Sequence, residues 1–348
     1  MPIPQLMAAV ELMGHGDLDQ LRYNEAVPVP QVGAHDVLIE VGGSSVNNTD
    51  INTRTAWYSR DEADTGWSGA AMHFPRIQGA DCCGRIVAVG SQVGSQRIGE
   101  RVLVRTMQEP LQMDEHLEPV TLGSEIDGGF AQFVCVRSTE AYAVNSSLSD
   151  SALATFPCAY STAEGLLQRA KVLSDRVLVT GASGGVGSAV VQLAALRGAT
   201  VIAAARDQHH RALMELGAAE TVDRDSEVVT VLGENSVDVV IDVVGGPQFS
   251  DLLRILRPRG RYATSGAVAG PRVQLDLRDL YLKDLTLFGC TFNSPSIFTQ
   301  LIGYIESERL RPTVARTYSL DDIRAAQEKF LAKDFVGKIA VVPPPTDT

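Results

Sequence analysis

No stretch of the 348-residue chain stays apolar for the ~20 residues that a membrane-spanning helix needs, and no basic segment precedes an apolar one at the N-terminus. Neither a membrane span nor a secretory leader is expected, which makes the cytosol the expected compartment. Cysteine is scarce. Cys82, Cys83, Cys135, Cys158 and Cys290 are scattered and odd in number, which suits reduced thiols rather than a disulfide framework. Positive charge is also short: 30 Lys and Arg against 42 Asp and Glu give a net charge of −12. That balance argues against a partner bound through phosphate contacts, whether nucleic acid or an anionic membrane surface. Internal repeats and low-complexity segments are missing. What remains, 45% hydrophobic and 21% charged residues, is an ordinary globular composition long enough for two separate cores.

The most informative segment is Val177-Leu-Val-Thr-Gly-Ala-Ser-Gly-Gly-Val-Gly-Ser188, followed by an apolar stretch and then Val201-Ile-Ala-Ala-Ala-Arg206. Val177–Thr180 reads as a short buried strand, Ser188–Arg197 as a helix and Val201–Ala205 as the next strand. The glycine cluster Gly181, Gly184, Gly185 and Gly187 lies between the first strand and the helix. Such a turn lets a pyrophosphate rest against bare amide groups at the helix N-terminus, contributed here by Ser183, Gly184, Gly185, Val186 and Gly187. A side chain at Gly184 or Gly187 would obstruct either that approach or the helix–strand contact. A glycine fingerprint in this context is a strong signal for a dinucleotide.

The end of the second strand bears on which dinucleotide. An NAD site usually places Asp or Glu there to accept from the ribose 2′-hydroxyl. This chain has Ala205 followed by Arg206, which favours NADP(H), because no carboxylate repels a 2′-phosphate and a guanidinium is in reach. The alternative is that Arg206 is a solvated surface residue. His209, His210 and Arg211 follow as further candidate cations, and Asp207 reads as a helix N-cap.

Short apolar or alternating runs before residue 146 (Val37–Val41, Ile86–Val89, Val102–Val104, Phe130–Val136) predict an antiparallel, barrel-like β domain. From Ser147 onward helices and strands alternate: a mostly helical Ser147–Arg169, the dinucleotide unit, a helix over Asp207–Leu216 and a strand over Val237–Val244. A helix over Phe249–Leu256, closed by Arg257-Pro258-Arg259-Gly260, and strands at Arg261–Thr264 and Leu285–Phe288 complete the series. That alternation predicts a doubly wound parallel sheet. Helices near Ser296–Ser307 and Asp321–Ala332 and a last strand, Lys338–Val342, are expected to return to the first domain. The predicted division is a catalytic domain of residues 1–146 and 294–348 and a dinucleotide-binding domain of 147–293, with the cofactor in the cleft between them.

Six motifs in order carry a family resemblance: Val46-Asn47-Asn48-Thr49-Asp50, Gly79-Ala80-Asp81-Cys82-Cys83-Gly84, Gly99-Glu100-Arg101-Val102, Gly128-Gly129-Phe130-Ala131-Gln132-Phe133, Gly181–Gly187 and Gly337-Lys338-Ile339. Over nearly its whole length the chain resembles medium-chain dehydrogenases/reductases, in their zinc-free, quinone-oxidoreductase-like branch. The resemblance implies an α/β fold made of a GroES-like β-barrel-type catalytic domain and a Rossmann domain. It also implies a homodimer or homotetramer and hydride transfer from a nicotinamide in the cleft. It places Thr162, Val244, Gly245, Ser265 and Gly266 near the nicotinamide end. Lys338 would either touch the cofactor from the catalytic side or be a solvated charge.

The departures from the zinc-dependent branch are informative. By motif, the Cys and His that hold its catalytic metal are replaced by Asn47 and Ala80, leaving Asp81 and Cys158 as unsupported donors. The segment Thr106–Asp127, where many relatives carry a four-cysteine zinc lobe, contains no cysteine. Adjacent Cys82 and Cys83 lack chelating spacing and read as small buried residues. No metal is expected. Without a Lewis acid, hydride transfer to a quinone or an α,β-unsaturated carbonyl is favoured, since the charge spreads into a phenolate or enolate that a few donors can stabilise. Asn47 is either such a donor or a brace for the turn with Asp50. Tyr58 either protonates the product or bounds the pocket. Residues 54–74, with Trp57, Tyr58, Trp67 and His73, read as an insertion that shapes a substrate pocket or covers a subunit contact. Two other classes stay open: a zinc alcohol dehydrogenase, and an NADPH-binding structural or interaction protein with weak catalysis.

Overall fold

A computed structural model describes residues 3–59, 71–108 and 120–346. Trp67 and the middle of the cysteine-free segment therefore lie outside the described residues. The later half of the chain builds a six-stranded, all-parallel sheet. Its order is Glu220–Asp223, Thr200–Ala205, Arg176–Val179, Val237–Asp242, Leu256–Thr264 and Thr286–Gly289. The chain starts in the middle of the sheet, winds one way, then restarts beside the first strand. The strand order therefore reverses between Arg176–Val179 and Val237–Asp242, where the carboxyl ends open a crevice. The central strands carry side chains buried on both faces, as a parallel sheet covered by helices demands. Helices Pro157–Arg169, Gly185–Leu196 and Pro295–Glu306 pack on one face, and Phe249–Ile255 on the other.

The earlier half forms a mostly antiparallel sheet centred on the long strand Asp36–Val46, which pairs with both Cys83–Val89 and Phe133–Arg137. Arg101–Val104 and Ala141–Ala143 extend it outward. The last strand, Lys338–Val342, pairs antiparallel with the same central strand, with Ile339 opposite Val46. The tail thus returns to the first half, and Lys338 enters beside Asn47.

Several local readings change. Asp207 is not a side-chain cap: it opens a single 3-10 turn, Asp207–His209, ahead of the helix His210–Glu215, and lies 3.6 Å from the His210 ring. Arg257-Pro258-Arg259-Gly260 does not simply close a helix but belongs to the strand Leu256–Thr264, with a register shift and a left-handed Arg259 (φ 64°). Lys283 closes the preceding helix instead, donating to the carbonyls of Leu253, Arg254 and Leu256. Arg54, where the segment read as an insertion begins, ends the helix Asn48–Arg54, is only 2% exposed, and donates to Gln327 and Gly16.

Candidate functional site

The glycine turn has the geometry a pyrophosphate requires. Helix Gly185–Leu196 makes its first i→i−4 bond from the Ser188 N–H to Gly184 O at 2.8 Å, so the amides of Gly185, Val186 and Gly187 project from the helix end. A Cβ on Gly187 would fall 2.2 Å from Gly181 O, so only glycine lets this helix sit against its strand. A Cβ on Gly184 would meet only Gly181 O at 3.4 Å, which leaves its outer side open to a ligand. Ser183 is half-buried, and its carbonyl accepts from the Gly337 N–H at 2.8 Å.

At the adenosine end, the Arg206 guanidinium lies across the mouth, with Nη1 3.3 Å from Lys333 O. His209 is buried, and burial together with Arg206 holds its ring below the ordinary imidazole range, so it adds no charge near neutrality. His210 bonds the Ala205 carbonyl, while Arg211 points to solvent and pairs with Glu215. Arg224, which the sequence reading did not single out, follows the neighbouring strand and donates its N–H to Ala205 O at 3.0 Å. The signal was available, since parallel strands end side by side.

At the nicotinamide end of such a crevice, Asp242 is fully buried at the tip of its strand. It accepts from Thr180 Oγ1, Tyr262 OH and the N–H groups of Val244 and Gly245. These bonds fix the following turn, where Gly245 and Gly246 take positive φ, and a cavity of ≈ 220 Å³ opens beside Gly245, Thr264 and Gly266. Ser265 is half-buried in the same segment. Thr162 Oγ1 donates to Cys158 O within its own helix and keeps its lone pairs free to accept.

Across the crevice lies a buried polar network. Backbone hydrogen bonds from the N–H groups of Gly128, Gly129 and Phe130 to the carbonyls of Ile77, Gly79 and Gln78 fix the Gly79-Ala80-Asp81 turn. Asp81 Oδ2 accepts from Ser45 Oγ, from Asn47 Nδ2 at 2.7 Å and from Lys338 Nζ at 3.1 Å; Oδ1 takes the Cys158 N–H at 2.7 Å. Lys338 Nζ also donates to Val46 O and Asn47 Oδ1. Lys338 is therefore not a solvated charge: it is 2% exposed and paired with a carboxylate that is 0% exposed. Its side chain reaches there past Gly185, where a Cβ would come within 2.6 Å of Lys338 Cδ.

Asn47 is drawn wholly into this network. Its two amide hydrogens go to Asp81 and Ser45 O (3.2 Å) and its oxygen accepts from Lys338. Its N–H meets Asp50 Oδ2 at 2.7 Å, the turn brace anticipated as the alternative. In this arrangement the amide has no hydrogen left for an oxyanion. Asp50 also accepts from Gly79 and Ala80, while burial, with Asp81 adding to it, pushes its carboxyl up to about 7. Burial and the neighbouring Asp81 hold the Cys158 thiol well above its ordinary range, so it stays protonated. Tyr58 OH donates to Thr49 Oγ1 at 3.2 Å and accepts from Asn52 Nδ2 at 3.3 Å, and burial raises its phenol above the ordinary value. Thr49 was missed, because a single threonine in a helix start carries no distinctive pattern. Cys82 and Cys83 are buried, and all five cysteines are free.

Residues 33–146 match the alcohol dehydrogenase GroES-like domain and residues 185–307 match the zinc-binding dehydrogenase domain. The chain superposes on a solved structure from Sinorhizobium meliloti 1021, provisionally named an alcohol dehydrogenase, with a TM-score of 0.92 and 45% identity over 98% of each chain. The chain belongs to the medium-chain dehydrogenase/reductase superfamily. It is 27% identical to the quinone oxidoreductase of Rattus norvegicus, over 94% of each chain. It is likewise 27% identical to the acryloyl-coenzyme A reductase of Sulfurisphaera tokodaii, over 92% of this chain and 96% of that one. The superfamily places this chain among oxidoreductases acting on small molecules. No described helix is long and apolar enough to cross a membrane.

Proposed function

We propose that this protein is a zinc-independent, NADPH-dependent reductase of quinones or α,β-unsaturated carbonyl compounds. The observation that carries the reading is the Lys338 ammonium lodged among Asn47, Val46 O and Asp81. By motif, Asn47 and Ala80 stand where the zinc-dependent branch has ligands, and a fixed monovalent cation already neutralises the buried Asp81 carboxylate. Among the described residues, no three His, Cys, Asp or Glu side chains converge as a metal site. This donor set does not fit zinc.

Bound NADPH supplies the hydride. The glycine-turn amides orient its pyrophosphate, and the turn held by Asp242 and the half-buried Thr162, Ser265 and Gly266 bound the nicotinamide. Charge would then develop on the acceptor oxygen, and the paired hydroxyls of Thr49 and Tyr58, which the buried Asp81 network does not consume, are the proton holders assigned to it. Turnover of NADPH with a panel of quinones and enones, undiminished by a chelator, is the expected result. Tight NADPH binding without turnover on any acceptor would instead indicate an NADPH-binding interaction protein. Stoichiometric zinc in the purified protein would restore the alcohol dehydrogenase reading.

The NADPH preference rests on Arg206. A hydrogen bond to a charged group contributes about 1.5–3 kcal/mol, so Arg206→Ala should cut the NADPH-over-NADH ratio of kcat/KM roughly 10- to 100-fold. Equal use of both cofactors by the unaltered enzyme would refute the preference.

We also propose a homodimer. Val268, Val273, Leu275, Leu277, Tyr281 and Leu282 are all exposed just ahead of the outermost strand Thr286–Gly289, whose outer side has no partner strand among the described residues. An edge of this kind, flanked by apolar side chains, is closed by a second copy under a twofold axis. Light scattering should give twice the 37.3 kDa chain mass, and Leu277→Glu combined with Leu282→Glu should shift it to one. A monomer in the unaltered protein would overturn the proposal.

A further inference from the structure

Lys333 follows the last turn of helix Ile323–Ala332 in a left-handed conformation, φ 51° and ψ 37°. That backbone region strains a residue with a side chain, and helices usually leave the position to Gly or Asn. Strain of this kind persists where something else needs the side chain. Here the ammonium turns back over the Phe330 ring, 3.4 Å from its centroid, and donates to Asn48 Oδ1 at 3.0 Å. Asn48 opens the helix Asn48–Arg54, immediately after Asn47.

The segment that begins at Lys333 runs along the glycine turn. Its first carbonyl accepts from Arg206, the Gly337 N–H donates to Ser183 O, and the Lys338 chain passes Gly185. Lys333 therefore turns its carbonyl to Arg206 at the adenosine end and its ammonium to Asn48, next to the buried Asn47–Lys338 network. No carboxylate among the described residues pairs with it, in a chain where acidic residues outnumber basic ones 42 to 30. The charged group that acts on it is Lys338; Arg206 meets the Lys333 carbonyl, with His209 behind it, and adjacent Asp334 is engaged by Lys329 at 2.7 Å. A half-buried cation among cations lacks an anion.

We propose that Lys333 clamps a phosphate of the cofactor and that its protonation makes cofactor binding depend on pH. The inference rests on the dinucleotide reading above. Burial, and then the Lys338 charge, hold the free Lys333 ammonium down at about 7. A phosphate oxygen accepting from Nζ favours the charged form and pulls that value back up. Above neutrality, binding must then take a proton from solvent, and affinity falls by up to about tenfold per pH unit until the bound-state value is reached.

The test is titration calorimetry of the full chain with NADPH and with NADH at pH 8, in buffers of different ionisation enthalpy, repeated across pH 7–9. This range lies above the second ionisation of a phosphate monoester, about 6, so the ligand itself is silent. The unaltered protein should take up close to one proton. Lys333→Met should bind at least about tenfold more weakly at pH 7 and take up none. Lys333→Arg, which cannot deprotonate, should keep affinity while losing the pH dependence. Uptake with both dinucleotides assigns the clamp to the pyrophosphate, and uptake with NADPH alone assigns it to the 2′-phosphate. Unchanged affinity and uptake in Lys333→Met would overturn the clamp while leaving the cofactor reading intact. An unaltered protein that binds neither dinucleotide removes both.

Discussion

Lys338→Met should be among the most destabilising single substitutions in this protein, lowering unfolding stability by about 3–5 kcal/mol. The reason is the carboxylate it leaves behind. Asp81 is fully buried and has one cationic partner, the Lys338 ammonium 3.1 Å away. Its remaining contacts, from Ser45, Asn47 and the Cys158 N–H, are neutral donors that cannot balance a charge. Methionine fills the space of the lysine stem, so the loss reports charge rather than packing. Replacing Asp81 by Asn in the same chain removes the stranded charge, so Lys338→Met with Asp81→Asn should recover most of what the single change costs. Arg at 338 should not substitute, because the path to Asp81 passes a bare Gly185 with a Cβ-sized space already filled by the lysine stem. Thermal or denaturant midpoints of the three variants decide it. A loss below about 1 kcal/mol in the single variant would mean that the pair behaves as a surface ion pair.

That pair also shows where sequence reading stops. The glycine turn, the alternation of strands and helices and the last strand Lys338–Val342 were legible, because each depends on residues within a few positions of one another. Lys338 itself was not. The resemblance left it either touching the cofactor or a solvated charge, because what buries it is a contact with Asp81, 257 residues away. Asn47 was read by motif as a replaced ligand position, yet the direction of its amide depended on the same distant lysine. The Arg257–Gly260 segment misled for the opposite reason. Its local composition signals a turn, but the pairing of Leu256 with Val237 and of Arg261 with Val239 on either side makes it an irregularity within a strand, with the positive φ at Arg259. Lys333 was overlooked because it lies in no motif, and only the folded crevice brings its carbonyl to Arg206.

With Asn47 committed inward, the proton that completes reduction has to come from another group, and this gives the second large expected effect. Thr49 Oγ1 and Tyr58 OH are 3.2 Å apart, and Tyr58 also accepts from Asn52. Burial raises the Tyr58 phenol above its ordinary value, so it is a held proton at every pH where the enzyme works. A positioned general acid contributes typically 10²–10⁴-fold to rate, so Tyr58→Phe should lower kcat by about 10²-fold or more with enone acceptors. NADPH affinity should not move, since neither hydroxyl touches the glycine turn or Arg206. Thr49→Val should do the same if the threonine passes the proton on, and should be mild if the tyrosine reaches the acceptor directly. A solvent isotope effect on kcat that disappears in Tyr58→Phe would assign the transfer to this hydroxyl. Quinone acceptors provide the contrast. Their reduced product holds its charge as a phenolate, which leaves the site without needing the proton at once, so kcat with quinones should fall less than with enones. An equal fall for both acceptor classes would mean that Tyr58 shapes the pocket, and an unchanged kcat for both would remove it from the chemistry.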